Sequence, residues 1–596
     1  MKRAALDIVL AIGYLAVAGA VLVARANPAS AYESSIYAAS PTMTWIGLAI
    51  GLAIAVSTTI ACRGRYQGIS IGLGACAVTT IVGLPFIRNY RFAGAGDALS
   101  HLGWTRDIVN GALLPHELFY PGLHSIASAI HFVGGVSLER SVLLMVIVFF
   151  VPFLIFVPLT VRELSGNALA VGIAAIISWV VLPINNIGTH MGAHTNSNAL
   201  FLVPVVLFAL VAYMRRRDDL ERLPLGISPF SALLVLTSLA LLFVHPQQMA
   251  SIVVLVGSIS VIQYLARWRF EDHPMVDHPT TYAHTSVLGL LAGAWALSNE
   301  RFRDAIGGLV AGVFSEDIGT GAEVTQRGAS LTEVGGSLAE LFVKLFLEAA
   351  IIGLIVGVFL LVVWLGWTKI DLETKAFCTY FGLALIPLGG MFLVYFVGTP
   401  TMAFRQVGFI YVVLTILAGI AIAHMTMGLS RVVTTPGANA LVATMLAAFL
   451  ILGLMTIYAS PLIYQPNQHV TDDAMNGYES SYVHAVEDRP HVGFGADPFR
   501  FDHGINGVES DSVSTTPYES GVVNQTEFES GNYSGAYDGH DYYFVVSEYD
   551  TTRELEVYDG LDHSEAALEG VEREPNANKV ISNDEFRMYA ITADGE

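Results

Sequence analysis

The chain has 596 residues, 54% hydrophobic and 14% charged, with a mean hydropathy of +0.57. A soluble enzyme carries about a quarter charged residues and a collagen a strict Gly period, so both are excluded, and a multi-spanning membrane protein remains. The net charge of −21 is local: residues 459–596 hold 28 of the 51 acids and 6 of the 30 bases, leaving residues 1–458 near neutral.

A membrane span needs about 20 mainly apolar residues, because every backbone group must be bonded within the hydrocarbon layer. About thirteen stretches qualify: 6–24, 43–61, 68–87, 141–161, 167–184, 199–214, 229–244, 249–266, 283–298, 341–366, 376–397, 407–425 and 438–458. The expected fold class is therefore mostly α, a polytopic helical membrane domain over 1–458. Lys2–Arg3 before the first stretch resembles a signal peptide, but the run to Ala24 is long enough to span and reads as an anchor.

Lys and Arg concentrate in cytoplasmic connections. With the N-terminus inside, 14 of the 24 bases of this part fall in inner loops, the triplet Arg215–Arg217 being the strongest marker and Arg25 an exception. An odd number of spans then places residues 459–596 outside. A multi-pass cell-membrane protein with a cytoplasmic N-terminus and an extracellular C-terminal domain is expected.

The first long outer loop, 88–140, contains Gly94-Ala-Gly96-Asp97 and then His101 one helical turn on. Asp97 is well placed to open a helix, and capping is its simplest reading. Tyr120-Pro121-Gly122-Leu123-His124 follows. His190 and His194 have the spacing of two metal ligands on a helix, although Gly188, Gly192 and several Asn weaken a helix there. Polar contacts in a wet cavity are their other reading. His245-Pro246-Gln247-Gln248 marks a span end. In the outer loop 299–340, Arg301 and Arg303 are candidate anion contacts and Glu316–Asp317 reads as solvated. Lys344 and Glu348, spaced i,i+4, read as a self-satisfying pair.

Arg405 stands in the outer segment Gly398–Gln406, immediately before a span. A guanidinium there suits bidentate phosphate contact, or anchors the span end at the headgroups. The tail alternates Tyr-rich and β-branched stretches with Gly, Asn and Asp. Tyr542–Ser547 reads as a strand, and 579–582 with 586–591 as a hairpin about Asn583–Asp584, so a small β-rich domain is expected. Its acidity suits life in high salt and suggests a halophilic archaeal source. Asn524-Gln-Thr526 and Asn532-Tyr-Ser534 are N-glycosylation sequons.

Gly96-Asp97 with His101, Tyr120–His124, the segment Asn196–Pro204, His245–Gln248 and the ending Lys579–Asn583 together resemble the GT-C glycosyltransferase superfamily. The protein O-mannosyltransferases and the lipid A aminoarabinose transferase belong to it. The resemblance implies a GT-C-like fold and transfer of a sugar from a dolichyl- or polyprenyl-phosphate donor to an extracytoplasmic glycan, lipid or protein. It implies Asp97 as catalytic base, because a carboxylate in the first outer loop has that role in the family. Two extra spans precede this loop, and it holds no Asp-Glu or Asp-x-Asp pair, Asp107 being ten residues on.

Around that role, Arg405 is the candidate donor-phosphate clamp and His101, His190 and His194 are supports or ligands of a divalent metal. Tyr120, His124, His245, Arg301 and Arg303 are weaker substrate contacts. No cofactor is certain, a divalent metal ion being the one candidate. The expected partners are the lipid-linked sugar, its acceptor and membrane lipid. Nothing in the sequence supports ATP or nucleic acid. The alternative is a secondary transporter or lipid-linked-saccharide flippase, which would hold ionisable groups near the bilayer midplane.

Overall fold

The computed structural model describes residues 3–593 except 95, 216–220, 301–302, 305–306, 309–330, 487–488 and 510–520. It is mostly helical. Each of the thirteen expected spans is represented by a helix among the described residues. Nine are long and apolar enough to cross a membrane: Arg3–Ala26, Thr42–Ala61, Leu138–Ser165, Thr195–Arg215, Pro246–Arg269, Leu338–Trp364, Leu372–Gly398, Met402–Leu429 and Thr435–Leu454. The remaining four, Arg65–Val82, Ala168–Val180, Pro229–Val244 and Tyr282–Ser298, are helices of 18, 13, 16 and 17 residues.

Helices in lipid associate through close backbone approach at small residues. A Cβ on Gly47 would lie 2.6 Å from the Ala16 carbonyl oxygen, which lets the first two long helices touch. Gly419 meets Ala170 and Ala174 in the same way. Aromatic packing among Phe150, Phe153 and Phe201 fills the middle of the bundle. At one end, the 165–167 turn, residues 369–374 and His424–Met427 line a shared recess of about 130 Å³. Those connections are among the ones expected to be cytoplasmic.

At the site's end, loops far apart in sequence are stitched together. The two-residue strands β1 (Phe92–Ala93) and β2 (His469–Val470) pair antiparallel, Phe92 opposite Val470. Arg88, 3% exposed, forms a two-pronged pair with Glu33, its Nη2 donating to Oε1 over 2.7 Å. His469 stacks between Tyr90 and Tyr32, with ring centres 3.7 and 6.1 Å away.

The tail holds a four-stranded sheet in the order β3 (His491–Val492), β4 (Tyr542–Ser547), β6 (Phe586–Ile591), β5 (Ala577–Ser582). The strand and the hairpin expected from sequence are both present, with helices Asp472–His484 and Asp497–Asn506 beside them. All six residues of β4 are buried. Strand residues alternate between faces. Tyr542, Phe544 and Val546 join a core within the tail, while Tyr543 and Val545 join the core continuous with the membrane bundle.

Helix 497–506 lies against helix Ala98–Asn110. Arg106 Nε donates to the Gly504 carbonyl over 3.0 Å, and the Asp107 carboxylate accepts the backbone N–H groups of Val508 and Glu509 at 2.8 and 3.1 Å. Asp107 is thus an anchor for the tail. A Cβ on Gly103 would lie 2.2 Å from the His503 carbonyl oxygen. Gly103→Val is expected to destabilise the protein by about 1–3 kcal/mol through overpacking, read as a lower melting temperature in detergent; an unchanged one would contradict this docking.

The Lys344–Glu348 pair expected from spacing does not form. Lys344 bonds Glu340, one turn back, over 2.5 Å and donates to the Leu462 carbonyl over 2.6 Å. The ammonium reaches back towards the helix end and the loop carbonyl there.

Candidate active site

Gly96, with φ +61°, turns the chain into helix 98–110, and Asp97 occupies the N-cap position. Its carboxylate makes no capping bond to the helix. Its Oδ1 instead lies 3.7 Å from His101 Nε2, on the face that i,i+4 spacing predicts. His101 Nδ1 lies 3.1 Å from His124 Nε2, so Asp97, His101 and His124 form a chain leading inward. His101 and His124 are buried, and Asp97 is 37% exposed at the open end. Trp104 and Tyr120 pack against both imidazoles, and Tyr120 also stacks on His245, ring centres 6.0 Å apart. Trp295 fixes this corner by donating its indole N–H to the Phe119 carbonyl over 2.9 Å.

His190 and His194 are not on a helix. His194 stands immediately before helix 195–215, where its Nδ1 accepts from the Ser197 N–H at 3.4 Å and lies 2.9 Å from the Ser197 hydroxyl. Its ring meets His190 edge-on at 5.7 Å. The loop before them is built by Asn185, 1% exposed. Its Oδ1 accepts three successive N–H groups, Ile187, Gly188 and Thr189, and its Nδ2 donates to the Phe404 carbonyl over 2.9 Å. That bond sets the turn carrying Arg405 against the histidine loop, and a Cβ on Gly188 would lie 2.9 Å from the Arg405 nitrogen.

Arg405 is half-buried in the second turn of helix Pro400–Leu429, and no hydrogen bond or ion pair engages its guanidinium among the described residues. Its charge bears on Asp97, His190, His194 and His245. The third charged member comes from the tail. Arg500 donates to the Ser100 hydroxyl over 2.7 Å and also acts on Asp97.

Burial alone pushes the Asp97 carboxyl up, but His101, His194, Arg500 and Arg405 overcome it and hold the group at about 2. Burial, helped by Arg405, lowers His190 to about 4 and His245 to about 3, and burial also lowers His194 and His124. At neutral pH the site therefore holds one carboxylate and two guanidinium groups among neutral imidazoles His124, His190, His194 and His245. A depressed carboxyl stabilises the fold above its unfolded value of 3.8 and loses that contribution as pH falls towards 2. The melting-temperature gap between wild type and Asp97→Asn is expected to hold from pH 7 to 5 and to close between pH 4 and 2.

No family model matches this chain, and no curated protein matches it. Several solved structures do. ArnT from Cupriavidus metallidurans bound to undecaprenyl phosphate aligns over 92% of this chain and 98% of its own, at 12% identity and a TM-score of 0.47. The apo oligosaccharyltransferase of Archaeoglobus fulgidus aligns over 89% and 75%, at 11% identity and 0.45. AglB of that archaeon, in complex with an inhibitory peptide and a dolichol-phosphate, aligns over 87% and 74%, at 12% and 0.34.

Of the residues singled out in the sequence, the structure gathers Asp97, His101, Tyr120, His124, His190, His194, His245 and Arg405. Arg303 turns back on the preceding helix, its guanidinium donating to the Leu297 carbonyl over 2.8 Å. Arg301, Glu316 and Asp317 lie outside the described residues. Asn524 is exposed and caps helix Gln525–Glu529, while Asn532 holds Glu527 with its amide over 2.7 Å. Among the described residues no three metal-ligating side chains gather as for a metal ion. The positive charge acting on Asp97 comes from His101 and His194 together with Arg500 and Arg405.

Arg500 and Asn185 carried no local signal beyond being, respectively, one of six bases in an acidic tail and part of an Asn-Asn turn. Gln248 and Gln406 stood in the quoted segments His245–Gln248 and Gly398–Gln406 without a role of their own. Gln248, fully buried, bonds Asn196 over 2.5 Å, and Gln406 accepts from Ser251 over 3.1 Å.

Proposed function

We propose that this chain is a membrane glycosyltransferase that moves a sugar from a dolichyl- or polyprenyl-phosphate donor to an extracytoplasmic acceptor, working at the outer face with its N-terminus in the cytoplasm. One observation carries the reading: a half-buried carboxylate held low by surrounding cations, Asp97, and an uncommitted guanidinium, Arg405, share one cluster at the end of a membrane bundle. In the reaction the acceptor hydroxyl oxygen bonds the anomeric carbon as the carbon–oxygen bond to the carrier phosphate breaks. The electron pair leaves with the phosphate, held by Arg405, and the hydroxyl proton passes to Asp97. A carboxyl at about 2 is a weak base at rest. Donor phosphate on Arg405 cancels part of the positive charge that depresses it, so Asp97 gains basicity when the donor is in place.

An apolar groove of about 1000 Å³, walled by Trp45, Leu48, Leu52, Leu450 and Leu454, runs between helices 42–61 and 435–454 and offers a bed for an isoprenoid chain. The test is transfer from radiolabelled polyprenyl-phosphate hexoses in membranes containing the protein. Release of carrier phosphate with label on the acceptor is expected. Absence of both transfer and polyprenyl-phosphate binding would overturn the reading.

One feature favours the transporter alternative. Glu348, 4% exposed within helix 338–364, has a carboxylate oxygen without a hydrogen-bond partner among the described residues. Proton-coupled uptake into vesicles, lost in Glu348→Gln, would support it.

A further inference from the structure

Beside Asp97, between the first outer loop and the tail, lies a chamber of about 240 Å³. Gly94 and Gly96 form its edge, and the position a Cβ would take on Gly96 is open. Its walls combine rings (Tyr32, Phe501, Tyr549) with planar charged groups (Asp497, Arg500, Arg553). Arg500 belongs to both places, lining the chamber and acting on Asp97. Arg553 is held within reach of three carboxylates, Asp497 at 3.6 Å, Asp550 at 3.5 Å and Glu554 at 2.7 Å. His469, 5% exposed, also lines the chamber, and its Nδ1 has no hydrogen-bond partner among the described residues. Burial pushes the Asp497 carboxyl up to about 7, with Asp550 adding to it, so near neutrality it both donates and accepts hydrogen bonds.

We infer that this chamber is the acceptor subsite and that it takes a neutral sugar ring, which makes the acceptor a glycan or glycoside. The inference rests on the transferase reading and names the acceptor class for that site. Hydroxyls of a sugar need partners that donate and accept in one plane, which a carboxyl, a guanidinium and an unpaired imidazole supply together. The rings supply apolar faces for C–H groups. Glu548 and Glu585 add further carboxylates to the lining, which disfavours an anionic ligand. Leu99, Val470, Ala474 and Phe501 make about half of the lining apolar while carboxyls, guanidiniums and an imidazole make the rest polar, a mixture that matches the alternating C–H faces and hydroxyl edges of a sugar ring. Gly96, whose Cβ position is open, stands between the chamber and the neighbouring Asp97.

The test uses the full-length protein in detergent, with saturation-transfer NMR against methyl glycosides of mannose, glucose and galactose, and against a capped Asn-Val-Thr peptide. At least one glycoside is expected to bind, at least tenfold more weakly in Asp497→Asn and in His469→Phe, with melting temperatures showing both variants folded. Polyprenyl-phosphate binding, measured in parallel, is expected to be retained in both. Retained donor binding with no glycoside bound to wild type overturns the subsite alone, as does equal glycoside binding by the folded variants or binding of the peptide instead. Loss of donor binding in wild type as well overturns the transferase reading.

Discussion

Asp97→Asn is expected to lower sugar transfer by about 10²–10⁴-fold, the usual contribution of a positioned proton acceptor, while the protein still folds. The substitution keeps the shape of the side chain. It also keeps any capping capacity, since Asn and Asp cap helices about equally well. The carboxylate makes no capping bond, so little structure depends on it. What is lost is the charge between His101, Arg405 and Arg500, and with it the acceptor for the hydroxyl proton. A modest drop in melting temperature at pH 7 is expected from the same lost attraction. Product formation at saturating donor, beside a thermal scan, separates the two readings of Asp97: an active and folded Asp97→Asn protein removes the residue from the chemistry.

Arg405→Gln is expected to weaken binding of polyprenyl phosphate by about 10–100-fold, because a hydrogen bond to a charged group contributes about 1.5–3 kcal/mol. The guanidinium is half-buried and uncommitted among the described residues, and its backbone is set by Asn185 and Gly188 from a different loop. Such a placement wastes a charge unless an anion arrives. Arg405→Lys should recover part of the affinity, since an ammonium keeps the charge and loses the bidentate fork. An Arg that merely anchors the span end would leave the affinity unchanged in both variants. Titration of the purified protein with a polyprenyl phosphate of defined length measures this directly.

The helical bundle was legible because lipid imposes a length and composition on every span, a constraint written locally in the chain. The pairing of Asp97 with His101 was legible for a similar reason: four residues on one helix share a face whatever surrounds them. The strand at 542–547 and the hairpin after it followed from β-branched and aromatic runs broken by a turn. Burial of β4 on both faces was not legible, since Tyr542–Ser547 faces the tail's core on one side and the membrane domain's core on the other.

The cluster itself belongs to tertiary structure. His190 and His194 have the spacing of helical ligands, yet the chain between them is a loop, and Ser197 in the first turn of the following helix bonds the His194 imidazole. Arg500 stands some four hundred residues after Asp97 and reaches it because Gly103, Arg106 and Asp107 dock the tail on helix Ala98–Asn110. Sequence alone determined that the chain is a membrane bundle with an acidic tail and that a carboxylate stands in its first long loop between spans, because hydropathy, charge and helical spacing are properties of neighbouring residues. Which cations face that carboxylate, and which chamber lies beside it, were decided by packing between distant segments, where the energy comes from shape and desolvation that no local pattern encodes.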